Sequence, residues 1–205
     1  MKLQKLFRRA AAALLSGAML LSLCAPAWAD AGLSANPSIQ LQDAASATNS
    51  ILFNSMTIDP EKDAHFSFQI TGGMPGASVE YRAASHQLTV TGTVYDPLTL
   101  SAPGVDVVLR SEDGPAVNND LTISACASAA ITSTKERAQA VTGTASITSS
   151  GDVAITGADR AVGGETLTVD AGGSVTVTGG CAGASIWRSA SITAAENVTI
   201  TNTNV

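Results

Sequence analysis

From Leu98 onward the chain alternates aliphatic with small polar residues in short runs: Leu98-Thr99-Leu100, Leu121-Thr122-Ile123, Ala145-Ser146-Ile147, Leu167-Thr168-Val169 and Ala190-Ser191-Ile192. A period of two belongs to a strand with one buried face, and the β-branched content supports that assignment. The runs superpose beyond their own length. Six residues after the last aliphatic of the later four runs come Ala129, Val153, Val175 and Val198, and eight after come Ile131, Ile155, Val177 and Ile200. Nine after, every copy has threonine: Thr132, Thr156, Thr178 and Thr201. The anchors Ile123, Ile147, Val169 and Ile192 are spaced by 24, 22 and 23 residues. Leu100 precedes Ile123 by another 23, with one extra residue before a second strand read as Val108 and Leu109.

Glycine and small polar residues fill the corner between the two strands of a unit, as in Ser150-Gly151-Asp152 and Gly172-Gly173-Ser174. A third short apolar element recurs after a variable loop, at Val141, Val162 and Ile186-Trp187. Two or three short strands in a unit of this size predict an all-β fold, a parallel β-helix solenoid of about five coils over residues 98–205, stacked at about 4.8 Å. Right-handed winding is the default for parallel crossovers. The unit must repeat for an energetic reason. Burying an aliphatic side chain stabilises by roughly 1.5–3 kcal/mol, whereas ordering each residue costs about 1.5 kcal/mol, so a lone coil with few inward side chains stays unfolded.

Residues 30–50 are rich in Ala, Ser, Asn and Gln and read as a flexible arm. Residues 51–97 hold alternating apolar runs at Ile51 to Ile58, Phe66 to Ile70, Val79 to Tyr81 and Leu88 to Val94, separated by turn-forming stretches. They contain Phe53, Phe66, Phe68, Tyr81 and Tyr95. A solenoid needs a cover over its first coil, and this region is expected to be a β-rich N-terminal cap. The C-terminal Val198-Thr199-Ile200-Thr201 stops within what the repeat would continue, so the coils are expected to be truncated there.

The first 29 residues have the form of a signal peptide. Lys2, Lys5, Arg8 and Arg9 make a positive start, Ala10 to Leu23 an apolar stretch, and Ala27-Trp28-Ala29 a small-x-small site, so cleavage is expected before Asp30. The apolar stretch falls short of the roughly 20 residues of a membrane span. Leu21-Ser22-Leu23-Cys24 offers an alternative lipoprotein box, with Leu23 where a small residue is wanted. The expected location is therefore secreted or at the cell surface, with no transmembrane segment after cleavage.

Charge narrows the partners. The chain carries 11 basic and 17 acidic residues. Four of the basic ones lie in the leader, which leaves seven against 17, a net charge of −10. An acidic chain without a basic patch excludes nucleic acid as an expected partner.

Two cysteines, Cys126 and Cys181, remain after cleavage and fall two coils apart, so their separation of at least about 9.6 Å exceeds the reach of a disulfide. Two free thiols are expected. Ser128, Asp152, Ser174 and Asn197 share one corner position and, with the Thr132, Thr156, Thr178 and Thr201 row, read as structural polar ladders. Calcium through Asp152 is the alternative, although such a cation wants several carboxylates and this column has one. No other metal or cofactor is expected.

The export signal, the repeated Leu-Thr-Ile runs, Gly151-Asp152-Val153-Ala154-Ile155-Thr156-Gly157 and Gly173-Ser174-Val175-Thr176-Val177-Thr178-Gly179 resemble the secreted β-helix repeat proteins of Gram-positive bacteria. More loosely the chain is similar to the carbohydrate-binding β-helix family related to pectate lyases and to the β-helical stalks of adhesins. The resemblance covers about residues 79–205 and implies extracellular glycan or surface binding, sometimes with calcium. No catalytic motif of the lyases maps onto this chain.

Three functions compete. A polysaccharide lyase or hydrolase needs clustered carboxylates beside a cationic base, but Asp159-Arg160, Lys135-Glu136-Arg137 and Asp106 with Arg110 are the charge groupings of the coils, and solvated pairs account for them. His65 and His86, beside Asp63 and Ser85, read as surface residues of the cap. A binding module has more support: variable loops after Thr132, Thr156 and Thr178 should emerge on one side and carry Lys135, Arg137, Arg160, Trp187 and Arg188, able to stack or pair with an acidic sugar. The competing reading of Trp187, which continues Ile186, is that it fills the solenoid interior. The runner-up is a structural stalk within a larger surface protein. The expectation is a non-catalytic, exported solenoid whose partner is a glycan or cell-surface component.

Overall fold

The computed structural model describes residues 50–67, 76–180 and 189–203. The leader, the arm up to residue 49, Phe68 to Ile70, Cys181, Ile186, Trp187 and Arg188 lie outside the described residues.

Fifteen strands and one 3-10 turn make up the described chain, with no α-helix among the described residues. The strands are β1 (Ile51–Phe53), β2 (Met56–Ile58), β3 (Ala64–Ser67), β4 (Ser78–Arg82), β5 (Gln87–Thr91), β6 (Leu98–Ser101), β7 (Asp106–Ser111) and β8 (Leu121–Ala125). They continue as β9 (Ser128–Ser133), β10 (Ala145–Ser149), β11 (Val153–Gly157), β12 (Thr166–Ala171), β13 (Val175–Gly179), β14 (Ser189–Ala194) and β15 (Val198–Asn202). The short 3-10 turn spans Ala83–Ser85. Even-numbered strands from β6 to β14 stack in one sheet and odd-numbered strands from β5 to β15 in the other. Every neighbouring pair within those two runs is parallel. The fold is a β-solenoid of about five turns.

The repeat offsets equal the pairing register. Ile123, Ile147, Val169 and Ile192 are Cα partners in turn, as are Ile131, Ile155, Val177 and Ile200. Alternation places the aliphatic members inward: Leu121, Ile123, Ile131, Ile147, Ile155, Val169 and Val177 are buried in one continuous core. The third element is a column of single bridges linking Val94, Val117, Val141 and Val162. Val94 belongs to this column rather than to the run from Leu88 that the alternation suggests, because β5 stops at Thr91 and the chain turns at Gly92, with φ +100°.

The extra residue of the first coil resolves differently from its expected position. Val107 and Leu109, rather than Val108 and Leu109, occupy the inner column, because Val107 pairs with Ala129 and Leu109 with Ile131. Val108 faces outward and is half-buried. The corner Ala102-Pro103-Gly104-Val105 absorbs the length, with Gly104 at φ +72°, a left-handed conformation that suits glycine. A bulge at Leu100/Ser101 offsets part of it.

The first coil is covered by antiparallel strands. β1 pairs with β6 and β2 with β1 on one sheet, and β4 pairs with β5 and β3 with β4 on the other. Ile51 to Ile58, read as one run, is therefore a hairpin that turns at Asn54, whose φ of 51° asparagine tolerates. Asn54 Oδ1 accepts the Thr99 N–H at 2.7 Å and anchors the hairpin to the coil. Inside the cover, Phe53 and Phe66 meet edge to face with centroids 5.8 Å apart, and buried Tyr81 donates to the Pro60 carbonyl at 2.9 Å. β5 belongs to the parallel stack although its sequence falls in the region expected to be cap.

Buried hydroxyls are satisfied inside the stack. Ser133 donates to the Gly114 carbonyl at 2.7 Å, Ser149 to that of Ala127 at 3.0 Å, and Thr93 shares a 3.1 Å bond with Ser111. On the last described rung the inner face is open: Val198 is 49% and Ile200 55% exposed.

Candidate functional site

The loops that follow the second strand of each coil emerge beside the valine column. After β9, the chain makes a turn in which Ala138 N–H donates to the Lys135 carbonyl at 2.9 Å, and Arg137 takes a left-handed φ of 62°. Lys135, Glu136 and Arg137 are exposed there. The loop after β11 lies directly against it: Asp159 N–H donates to the Ala138 carbonyl at 3.0 Å, and Ala140 N–H to the Arg160 carbonyl at 3.1 Å. Gly157 permits this approach, since a Cβ there would collide with the Arg160 carbonyl oxygen.

Three of the five expected binding residues, Lys135, Arg137 and Arg160, thus share two adjoining loops on one side of the solenoid. Trp187 and Arg188 lie outside the described residues. The electrostatics of Lys135, Arg137 and Arg160 are mixed. Arg137 Nε stands 3.9 Å from Glu136 with both side chains in solvent, a pairing worth little. Arg160 Nε is 3.7 Å from Asp159 and, although buried, makes no hydrogen bond. Among the described residues Lys135 has no ion pair. The neighbouring loop before β8 carries Glu112, Asp113 and Asp120, so the cations form a local feature within an acidic side.

The corner column is aligned as its spacing requires, and its hydrogen bonds run along the stack. Ser128 Oγ donates to Asp106 Oδ1 at 2.6 Å, and Asp152 Oδ1 accepts the Ser174 N–H at 2.7 Å. Ser174 Oγ donates to Glu196 at 2.9 Å, so Glu196, beside Asn197, supplies the last acceptor. Thr132, Thr156 and Thr178 face outward in register and are half-buried, and Thr201 is exposed. Among the described residues no group of three His, Cys, Asp or Glu side chains could hold a metal ion. Cys126 is a free, buried thiol that reaches toward the Thr148 carbonyl at 3.6 Å; burial pushes its pKa up, against a smaller opposing effect of Ser149.

The cover holds a second feature that the sequence did not bring together. An open groove of about 440 Å³ runs over β3, β4 and the 3-10 turn and is lined by Asp63, His65, Glu80, Arg82 and Ser85 with Ala64, Tyr81 and Ala84. Antiparallel pairing sets His65 opposite Glu80. Glu80 Oε1 accepts from Arg82 Nε at 2.9 Å, and Asp63 Oδ1 accepts the Ala83 N–H at 2.8 Å. His86 caps the turn at φ 47° and is not part of the lining. Alternation from the buried Val79 and Tyr81 was the available signal, because it places Glu80 and Arg82 on the outer face.

The structure defines the class of molecule, an all-β parallel solenoid closed at its first coil by antiparallel strands. Compared with known proteins, the chain matches no family model, no curated protein and no solved structure. No helix among the described residues is long and apolar enough to cross a membrane.

Proposed function

We propose that this chain is an exported, non-catalytic surface-interaction module that binds extracellular carbohydrate. The carrying observation is the pair of adjoining loops that present Lys135 and Arg137 in solvent and Arg160 beside them, on a scaffold whose core and backbone ladders hold the loops in fixed register. Rigid placement lowers the ordering cost of binding, and guanidinium groups suit the carboxylates of an acidic glycan. The leader supports export. Its test is N-terminal sequencing of the product released by cells, with a start at Asp30 expected.

The binding test is titration with polygalacturonate and other acidic glycans, comparing the intact chain with a Lys135→Ala/Arg137→Ala variant. Loss of binding with an unchanged melting curve supports the reading. Failure of the intact chain to bind any acidic glycan would sink it in favour of a stalk, whose support is the small, hydroxyl-rich outer face of both sheets. Cleavage of the polymer above background would instead make the protein an enzyme.

A further inference from the structure

We infer that the open rung formed by β14 and β15 is a docking surface for a second copy of this chain, which meets it rung to rung across a two-fold axis. The inference does not depend on the glycan reading.

The two sides of the stack are finished differently. At the first coil β1 covers β6 and β4 covers β5, both antiparallel. On the opposite side β14 and β15 are the outermost strands of their sheets among the described residues. Val198 and Ile200 are about half exposed there, whereas Val175 and Val177, their partners in register, are fully buried. Backbone groups are open with them. The ladder between β13 and β15 runs from the Val175 N–H on the Asn197 carbonyl to the Thr203 N–H on the Gly179 carbonyl. A parallel ladder commits alternate residues to one neighbour, so the N–H and C=O groups of Val198 and Ile200 face away from β13. On β14 the Ser189 N–H donates to the Glu165 carbonyl and the Ala195 N–H to that of Ala171. The same alternation leaves the backbone groups of Ala190 and Ile192 facing away from β12.

Natural sheets protect such edges with short strands, charges, proline or bulges. β2 and β3, the outer strands of the cover, follow that rule with three and four residues. β14 and β15 do not. They run six and five residues with no charged residue, no proline and no break in register. Glu196, in the corner between them, accepts from the Ser174 hydroxyl one rung below. An acidic chain repels its own copies, and an uncharged edge is where two of them approach at the least electrostatic cost. A copy of the same rung supplies what this one lacks: edge donors and acceptors, and aliphatic side chains. The two-fold axis sets the facing strands antiparallel, which is the pairing that already covers the first coil. Such a contact is self-complementary and closes at two copies. Head-to-tail stacking is blocked, because the first coil already carries β1 and β4. Two short strands make a narrow contact, below about 1,200 Å² in total, which places the association among the weak, reversible ones.

The test is sedimentation equilibrium of the mature chain, from Asp30 onward, between about 1 and 200 µM. The mass is expected to rise to twice that of the monomer and stop there. Ile200→Glu and Val198→Glu set like charges against each other across the axis and should each weaken dimerisation by about tenfold or more. Leu52→Glu, the same change at a 44% exposed position of the cover, should leave it within about twofold. Circular dichroism confirms that the variants fold, and Thr199→Lys on the exposed outer face of β15 replaces either that does not. A chain that stays monomeric throughout overturns the inference, and binding of a peptide of residues 36–45 to that monomer would identify the arm as the occupant instead. A mass that keeps rising past two copies shows open-ended stacking and overturns it as well. So does a dimer that Leu52→Glu abolishes or that no substitution in β15 weakens, since the contact then lies elsewhere.

Discussion

Val177 and Ile200 stand on successive rungs of one column as Cα partners, yet Val177 is fully buried and Ile200 is 55% exposed. The core's protection therefore drops within one strand spacing. Ile155, two rungs before Ile200, is covered on both sides and is 0% exposed. Ile155→Ala should cost about 2–5 kcal/mol, whereas Ile200→Ala should cost under about 1 kcal/mol. Urea denaturation of both variants checks the gradient, and equal costs would contradict it.

Tyr81 couples stability to alkaline pH. Burial, reinforced by the Asp63 and Asp59 charges, raises its phenol above the usual value of 10.0. The unfolded phenol ionises first as pH rises, so the stabilisation is fully present below about 10 and is lost as pH climbs through the raised folded value. Tyr81→Phe should abolish that alkaline step while costing about 1 kcal/mol at neutral pH for the bond to the Pro60 carbonyl. Melting curves from pH 8 to 11 separate the two effects.

Cys126 should be chemically quiet in the folded chain. Its thiol is buried and its pKa raised, both of which suppress the reactive thiolate. With Cys24 and Cys181 replaced by serine, reaction with a thiol reagent should be at least about tenfold slower in the native protein than in urea. Rapid native labelling would show that the corner at Cys126 opens readily.

Asp152 acts through the Ser174 N–H. Asp152→Ala should lower stability by about 1 kcal/mol or less, with Asp152→Asn recovering most of it because the amide oxygen can still accept. Added calcium should leave the melting midpoint of the parent unchanged, and a rise would show that the carboxylate takes a cation instead.

Gly157→Ala probes the loop contact. The new methyl would meet the Arg160 carbonyl, so the loop after β11 must move away from Ala140, at a cost of about 1–3 kcal/mol. Acidic-glycan binding should fall with it, even though no candidate side chain has been changed. Retained binding would place the contact elsewhere.

The solenoid was legible because a parallel stack repeats its register, and register is visible as constant offset. Ile123, Ile147, Val169 and Ile192 could be aligned for that reason. Val94 and Val117 were hidden, since a one-residue bridge leaves no alternation to detect. The antiparallel cover was legible as strands but not as a direction, because a period of two is the same for either pairing. In Ile51 to Ile58 the apolar pattern ran through a turn whose signal was Asn54 alone. The cationic loops could be located by length variation. The groove could not, as it joins Asp63 and His65 to Glu80, Arg82 and Ser85 only when β3 folds back on β4.

The shared register of Ile123 and Ile147 makes the intervening stretch a removable cassette. Excising residues 124–147 would join Ile123 to Thr148, fusing the start of β8 to the end of β10 beneath β12 and bringing β11 onto β7, with each aliphatic floor still facing the next. What would vanish is the loop bearing Lys135 and Arg137, so the architecture separates the part that carries contacts from the parts that carry the fold. Such a chain can gain or lose a recognition element by whole storeys without redesigning its interior.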